Sequence, residues 1–319
     1  MTGPHSLFGP LDPAPDAGYV DAPSRKGFFT DTSVCIGCKA CEVACKEWND
    51  VPENLYEMLG TSYDNSHSLN ANQWRHVAFI EQPAGRSSVG LPPSIGDAAP
   101  SRDSVDLGMP TLGAAPTDVP DDAKPDFRWL MSSDVCKHCT HAACLDVCPT
   151  GSLFRSEFGT VVVQDDICNG CGYCVAACPY GVIDRRRGPE GDPKVGIAQK
   201  CTLCYDRLTD NQRPACAQAC PTESIQYGDV DELRERASAR VATLHEQGVM
   251  DARLYGNDPD DGVGGTGAMF LLLDEPEVYG LPPDPVVTTK DLPQMARRAG
   301  MAAAAMLAGA AVSFLRRTP

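Results

Sequence analysis

Sixteen cysteines fall into four groups of four, and no cysteine of the 319-residue chain lies outside them. Group one is Cys35, Cys38, Cys41 and Cys45, a C-x2-C-x2-C-x3-C run. Group two is Cys136, Cys139, Cys144 and Cys148, with a C-x4-C step in its middle. Group three is Cys168, Cys171, Cys174 and Cys178, and group four is Cys201, Cys204, Cys216 and Cys220, with eleven residues inside its central step. Three closely spaced thiolates on a tight loop can face three irons of one cubane, while the fourth, on a short helix, ligates a neighbouring cluster. Two groups therefore share two clusters. Four groups predict two ferredoxin-like 2x[4Fe–4S] modules and four [4Fe–4S] clusters, with iron held by all sixteen cysteines. Small residues between the ligands (Gly37, Ala40, Gly170, Gly172) let backbone amides approach the sulfurs and help set the potential. Zinc also takes Cys-x2-Cys pairs, but it needs no third and fourth cysteine at these steps. A disulfide framework belongs to short secreted chains, and residues 1–20 show no leader with a positive n-region and an apolar core.

The rest of the chain arranges itself around these groups. Residues 1–25 read as an extended arm, and Lys26 to Asp31 as a strand feeding group one. Residues 46–82 end in a strand, WRHVAFIEQ. A Pro/Gly-rich insert occupies 83–125, and structure resumes at Asp126 to Met131. Three times a cysteine is followed by Pro and a short apolar stretch: CPTGSLF, CPYGVID and CPTESIQ. The proline ends the helical turn and the chain leaves as a strand. SLFRSEFGTVVV reads as a hairpin turning at Gly159. Val230, Leu233, Ala237, Val241 and Leu244 recur at helical spacing over 230–247, a packing helix ended by Gly248. The fold class expected is α+β, two ferredoxin-like modules with long loops and a C-terminal hydrophobic helix. Of the remainder, 229–290 is a helix plus extension, and 291–319 a hydrophobic helix.

The remaining features exclude more than they assign. The net charge of -16 offers no basic stripe for nucleic acid. The run Arg185–Arg187 reads as a solvated loop. GVGGTG (Gly262 to Gly267) precedes an apolar strand instead of opening a helix, so it reads as a tight turn and not a dinucleotide fingerprint. His138 and His141 lie inside group two, as tuning or shielding groups or as mere neighbours. No nucleophile motif or phosphate loop is present and no catalytic residue is assigned, which leaves a wire that needs partners at both ends. Residues 299–315 carry no charge and are flanked by arginine pairs. They read as a membrane helix at the short limit for a ~30 Å hydrocarbon core, with a soluble docking helix as the alternative.

CIGCKACEVACKEWND, CNGCGYCVAACPYGV, KCTLCYDR, PACAQACPT and the tail segments GVGGT and VYGLPPDP resemble the iron–sulfur (beta) subunits of the molybdopterin oxidoreductases, and among them those of membrane-bound formate dehydrogenase. The resemblance implies that group one pairs with group four and group two with group three, so that one module takes 26–82 with 200–228 and the other 126–199. One cluster would then use Cys35, Cys38, Cys41 and Cys220, and a second Cys201, Cys204, Cys216 and Cys45. A third would use Cys136, Cys139, Cys144 and Cys178, and a fourth Cys168, Cys171, Cys174 and Cys148. It also implies a catalytic alpha subunit with a molybdenum or tungsten bis-pterin cofactor, and a membrane cytochrome b or quinone-reactive gamma subunit. The chain itself would be an electron-transfer subunit, held at the cytoplasmic membrane by its C-terminal helix. The same wire serving a sulfur compound or another oxyanion, and a soluble polyferredoxin carrier, are the alternatives.

Overall fold

The computed structural model describes residues 13, 17–53, 64, 66–82, 128–189 and 191–315. The insert read over 83–125 and most of the N-terminal arm lie outside these residues. Strand and helix are mixed throughout, in keeping with two ferredoxin-type domains.

A four-stranded sheet forms the platform. Its strands are β1 (Lys26–Asp31), β8 (Ile225–Asp229), β9 (Arg253–Tyr255) and β10 (Ala268–Leu272), in the order β8-β1-β10-β9. β1 runs antiparallel to β8 and parallel to β10, with Phe28 opposite Ala268 and Phe29 opposite Met269. Side chains alternate between faces along a strand, and here both faces are covered. Phe29, Met269 and Leu271 pack under α6 (Val230–Glu246), whose Val230, Leu233, Ala237 and Leu244 are buried at helical spacing. Phe28, Ala268, Phe270 and Leu272 face the opposite way, into a core that includes Cys41, Cys45, Cys136, Cys201 and Cys216. AMFLL is apolar at every position because neither face meets water.

The cysteine-bearing body carries only short elements. α1 (Ala40–Trp48) follows β1. A hairpin of β2 (Arg75–Gln82) and β3 (Arg128–Val135) pairs Arg75 with Val135 through to Gln82 with Arg128, so residues 83–127 are the connection of a hairpin. Four further helices, α2 (Ala143–Asp146), α3 (Tyr173–Ala177), α4 (Tyr205–Thr209) and α5 (Ala215–Gln218), are one turn or little more. Each expected Cys-Pro unit leaves as a strand. β4 (Leu153–Arg155) follows Cys148 and pairs with β5 (Val161–Val163), turning at Gly159 with φ +72°. β6 (Asp184–Arg185) follows Cys178 and pairs with β7 (Ala198–Gln199), and β8 follows Cys220. Group one has no such proline, and α1 continues past Cys45 to Trp48.

Arg25, at the end of the arm, is buried, and its guanidinium donates to the carbonyl of His138 and to Thr140 Oγ1. Two expectations need correction. Arg186 is not a solvated loop residue. It is buried beside the backbone of Ala71, while Arg185 is exposed. The C-terminal segment is helical, α7 (Leu292–Leu315), 24 residues and about 36 Å at 1.5 Å per residue. Among the described residues, however, no helix is long and apolar enough to cross a membrane. The helix starts early enough to take Arg297 and Arg298 into its own first turns, and its many alanines add little hydropathy beyond them.

Leu233 is fully buried between α6 and the sheet. Leu233→Ala should lower stability by about 2–5 kcal/mol. Glu235→Ala, on the exposed face of the same helix, should change it by less than about 0.5 kcal/mol. Denaturant unfolding followed by circular dichroism compares the two.

Candidate iron–sulfur sites

The four cysteine groups share one backbone device. The residue before the second cysteine is left-handed in every group: Gly37 (φ +65°), His138 (φ +45°), Gly170 (φ +69°) and Leu203 (φ +61°). This conformation turns the loop so that successive sulfurs face inward. Glycine adopts it freely, while a residue with a Cβ gives up roughly 1–2 kcal/mol. At Gly170 a Cβ would stand 2.6 Å from the carbonyl oxygen of Gly196, so glycine is required for space as well. His138 and Leu203 are fully buried, and their packing offsets the strain.

The structure brings the sixteen thiols into four cages. Cys35, Cys38, Cys41 and Cys220 ring a cavity of about 290 Å³ that Val77, Ser133 and Ile225 help to line. Cys45 of α1 sits among Cys201, Cys204 and Cys216 in a second, wholly buried cage, where α1 packs on α5. Cys136, Cys139, Cys144 and Cys178 ring a third cavity, lined also by Lys137, His138 and Lys200. Cys174 stands with Cys168, Cys171 and Cys148 in the fourth, where α2 meets α3. None of the sixteen is in a disulfide. A single metal ion would draw thiolates to about 2.3 Å from itself. Among the described residues no three His, Cys, Asp or Glu converge in that way. Rings of four sulfurs around cavities suit a group with a body of its own.

Burial and mutual repulsion dominate the electrostatics. Burial pushes the Cys41 and Cys144 thiols up to about 12, and those of Cys174 and Cys204 to about 11. Cys45 and Cys139 are raised well above the ordinary thiol range, by burial first and then by the cysteines around them. Such thiols surrender their protons to a metal rather than to water. Donors that would favour sulfur anions are in place. The amide of Leu203 donates to Cys201 Sγ at 3.3 Å. The hydroxyls of Thr150 and Thr222 lie 3.7 Å and 3.8 Å from Cys148 and Cys220, two residues past each cysteine in the two CPT motifs. At Cys148 burial opposes the anion, but backbone donors from Leu153, Thr150 and Ser152 outweigh it and the thiol is lowered.

Residues outside the cysteine pattern complete the sites. Asn49 Nδ2 reaches Cys45 Sγ at 3.7 Å and Cys204 Sγ at 3.8 Å, and it caps α1 by donating to the Cys45 carbonyl. Trp48 Nε1 donates to Asp206 at 2.8 Å, and the Arg207 guanidinium stacks on the Trp48 indole at 4.1 Å. The WND motif thus fastens group one to group four. GVGGTG is a turn, with Gly264 and Gly265 at φ +73° and +74°, and it braces group two. The amides of Thr140 and His141 donate to the carbonyls of Gly265 and Val263. His138 lines the third cage. Its Nδ1 accepts from the Val161 amide, and burial together with Lys200 and Arg25 holds it well below the ordinary histidine range, so the ring is neutral. The composition of the motifs pointed to Asn49 and the glycine turn only as signatures; their contacts needed the fold.

Two family models described as 4Fe-4S dicluster domains match this chain, over residues 34–152 and 127–230. The formate dehydrogenase iron-sulfur subunit of Haemophilus influenzae is 36% identical over 281 residues, covering 87% of this chain and 74% of that protein. The formate dehydrogenase-O iron-sulfur subunit of Escherichia coli is 35% identical over 282 residues, with 87% and 77% covered. A subunit of the anaerobic dimethyl sulfoxide reductase of Escherichia coli is 31% identical over 228 residues, with 69% and 82% covered. With four cysteine cages and similarity of this extent, the chain belongs to the iron–sulfur subunits of the formate dehydrogenase family, electron-transfer subunits of molybdopterin oxidoreductases with four [4Fe–4S] clusters.

Proposed function

We propose that this chain relays electrons from a subunit that oxidises formate at a molybdenum or tungsten bis-pterin centre to a quinone-linked membrane subunit. Bound [4Fe–4S] clusters supply one-electron carriers. The first would be held by Cys35, Cys38, Cys41 and Cys220, and the second by Cys45, Cys201, Cys204 and Cys216. Cys136, Cys139, Cys144 and Cys178 would hold the third, and Cys148, Cys168, Cys171 and Cys174 the fourth.

The observation that carries this reading is the succession of cages. Cys41 feels Cys216, Cys201 feels Cys136, and Cys144 feels Cys174, so each cage has the next as its neighbour. Cys38 in the first cage and Cys171 in the fourth are exposed, whereas every cysteine of the second is buried. Exposed ends and a buried middle suit a relay that docks partners at both ends and keeps water from its centre. Formate is favoured over a sulfur compound by extent. Similarity to the formate dehydrogenase subunits covers 87% of the chain, against 69% for the dimethyl sulfoxide reductase subunit. The complex would sit at the cytoplasmic membrane, with α7 resting on the membrane subunit. α7 is exposed from Met295 to Phe314 and carries Gly300 and Gly309, which allow close approach of a partner helix.

The intact complex, purified anaerobically through a tag on this chain, tests the assignment. Formate should produce several [4Fe–4S]⁺ signals in low-temperature EPR; reduction by dithionite alone, with the molybdenum subunit present, would reject formate as the substrate. Cys45→Ser should damage the second cluster, although Cys45 belongs to group one, and loss confined to the first cluster would reject the crossed assignment. Deleting 292–319 should release the complex from membranes under a carbonate wash that retains the wild type.

A further inference from the structure

Arg75 opens β2 in the space between the first two cages. It is fully buried. One of its terminal nitrogens, Nη1, donates to Ser133 Oγ at 2.9 Å and to the Ser133 carbonyl at 3.2 Å. Ser133 Oγ in turn lies 3.2 Å from Cys41 Sγ, and Ser133 lines the first cavity. The guanidinium stands 4.9 Å from the centre of the Phe28 ring, on the cage side of the platform sheet. Its other nitrogens, Nε and Nη2, are buried without a protein acceptor. Among the described residues no carboxylate lies within ion-pair distance of it. A buried, half-satisfied guanidinium without a counter-ion is expensive, and a fold keeps one where something else supplies the negative charge. Burial works against the charge here, and Cys216, Cys41, Cys201 and Cys45, one from the first cage and three from the second, more than offset it.

We propose that Arg75 is a positioning residue for electron transfer, the shared counter-ion of the first and second clusters, with its free Nε and Nη2 hydrogens left for sulfur. This rests on the cluster assignment above. A cubane gains one negative charge on reduction, so a fixed cation and hydrogen bonds to sulfur stabilise the reduced form and raise the potential. One cation within reach of both cages lifts both potentials together and keeps that step level, which a cation bound to a single cage would not do. Arginine suits this place better than lysine because its planar fork presents several donors at once and keeps its charge when buried.

The test is a potentiometric titration of the intact complex, monitored by low-temperature EPR, with Arg75→Met and Arg75→Lys beside the wild type. In Arg75→Met two of the four clusters should become harder to reduce. At their wild-type midpoints the ratio of oxidised to reduced form should rise about tenfold, 59 mV for a one-electron couple. The third and fourth clusters, beyond the reach of Arg75, should keep their midpoints and serve as internal controls. Four unchanged midpoints with all clusters loaded would overturn the proposal, and so would a uniform shift of all four. Should the Arg75→Met complex fail to load, Arg75→Lys carries the test. It keeps the charge and gives up the fork, so a smaller lowering of the same two midpoints supports the role and four unchanged midpoints overturn it. A wild-type complex without four [4Fe–4S] signals would instead remove the cluster assignment, an outcome separate from failure of the role of Arg75.

Discussion

Thiols crowded inside a protein resist ionising, and this one constraint organises the molecule. In the second cage Cys45, Cys201, Cys204 and Cys216 are all buried. Water cannot stabilise four sulfur anions there, and burial together with neighbouring cysteines raises Cys45, Cys201 and Cys204. Iron removes the conflict by replacing the protons, so cluster insertion and folding are linked in such a body. The remaining negative charge of the cluster must still be met. Arg75, Lys137 and Lys200 are buried around the first three cages, and among the described residues only Lys137 of the three pairs with a carboxylate, Asp134. In a chain with a net charge of -16, the buried Arg75 and Lys200, beside the cages and without a carboxylate partner among the described residues, are an arrangement that clusters explain and packing alone does not.

The covalent pattern is met by a repeated backbone solution. A left-handed residue before the second cysteine recurs in all four groups, filled twice by glycine and twice by a buried larger side chain. Groups one and three keep the glycine where neighbours leave no room for a Cβ, from the Phe79 ring and Met131 in one and the Gly196 carbonyl in the other. Groups two and four use His138 and Leu203 to fill the core. The internal repeat is therefore stronger in the backbone than in the letters of the sequence.

The sheet platform ties distant parts of the chain to this body. Placing β1 between β8 and β10 joins residue 28 to residue 268, and the same sheet presents Phe28 and Phe270 to the cages on one face and Met269 to α6 on the other. The glycine turn before β10 then holds the loop of group two through backbone hydrogen bonds in both directions. Trp48 and Asn49 perform the equivalent task between groups one and four. These braces make cysteines separated by up to 185 residues, Cys35 and Cys220, parts of one cage.

What the sequence determined by itself is local. The x2, x2, x3 steps, the proline after three of the fourth cysteines, the Gly159 hairpin and the periodicity of 230–247 each follow from bonding over a few residues, and each could be read without the fold. The number and kind of clusters followed from the same steps. Tertiary structure decided the features that depend on residues far apart meeting. The parallel pairing of β1 with β10 leaves no local mark, because an apolar strand looks alike in any sheet. Arg186 reads as solvated because its burial comes from partners far along the chain. Arg75 looked like one more charge in a strand, and only the convergence of Cys41 and Cys45 with Cys201 and Cys216 gives it a role. The tail shows the same division. Its helix was legible from composition, whereas where that helix begins, and so whether an arginine pair falls inside it, was set by the chain around it.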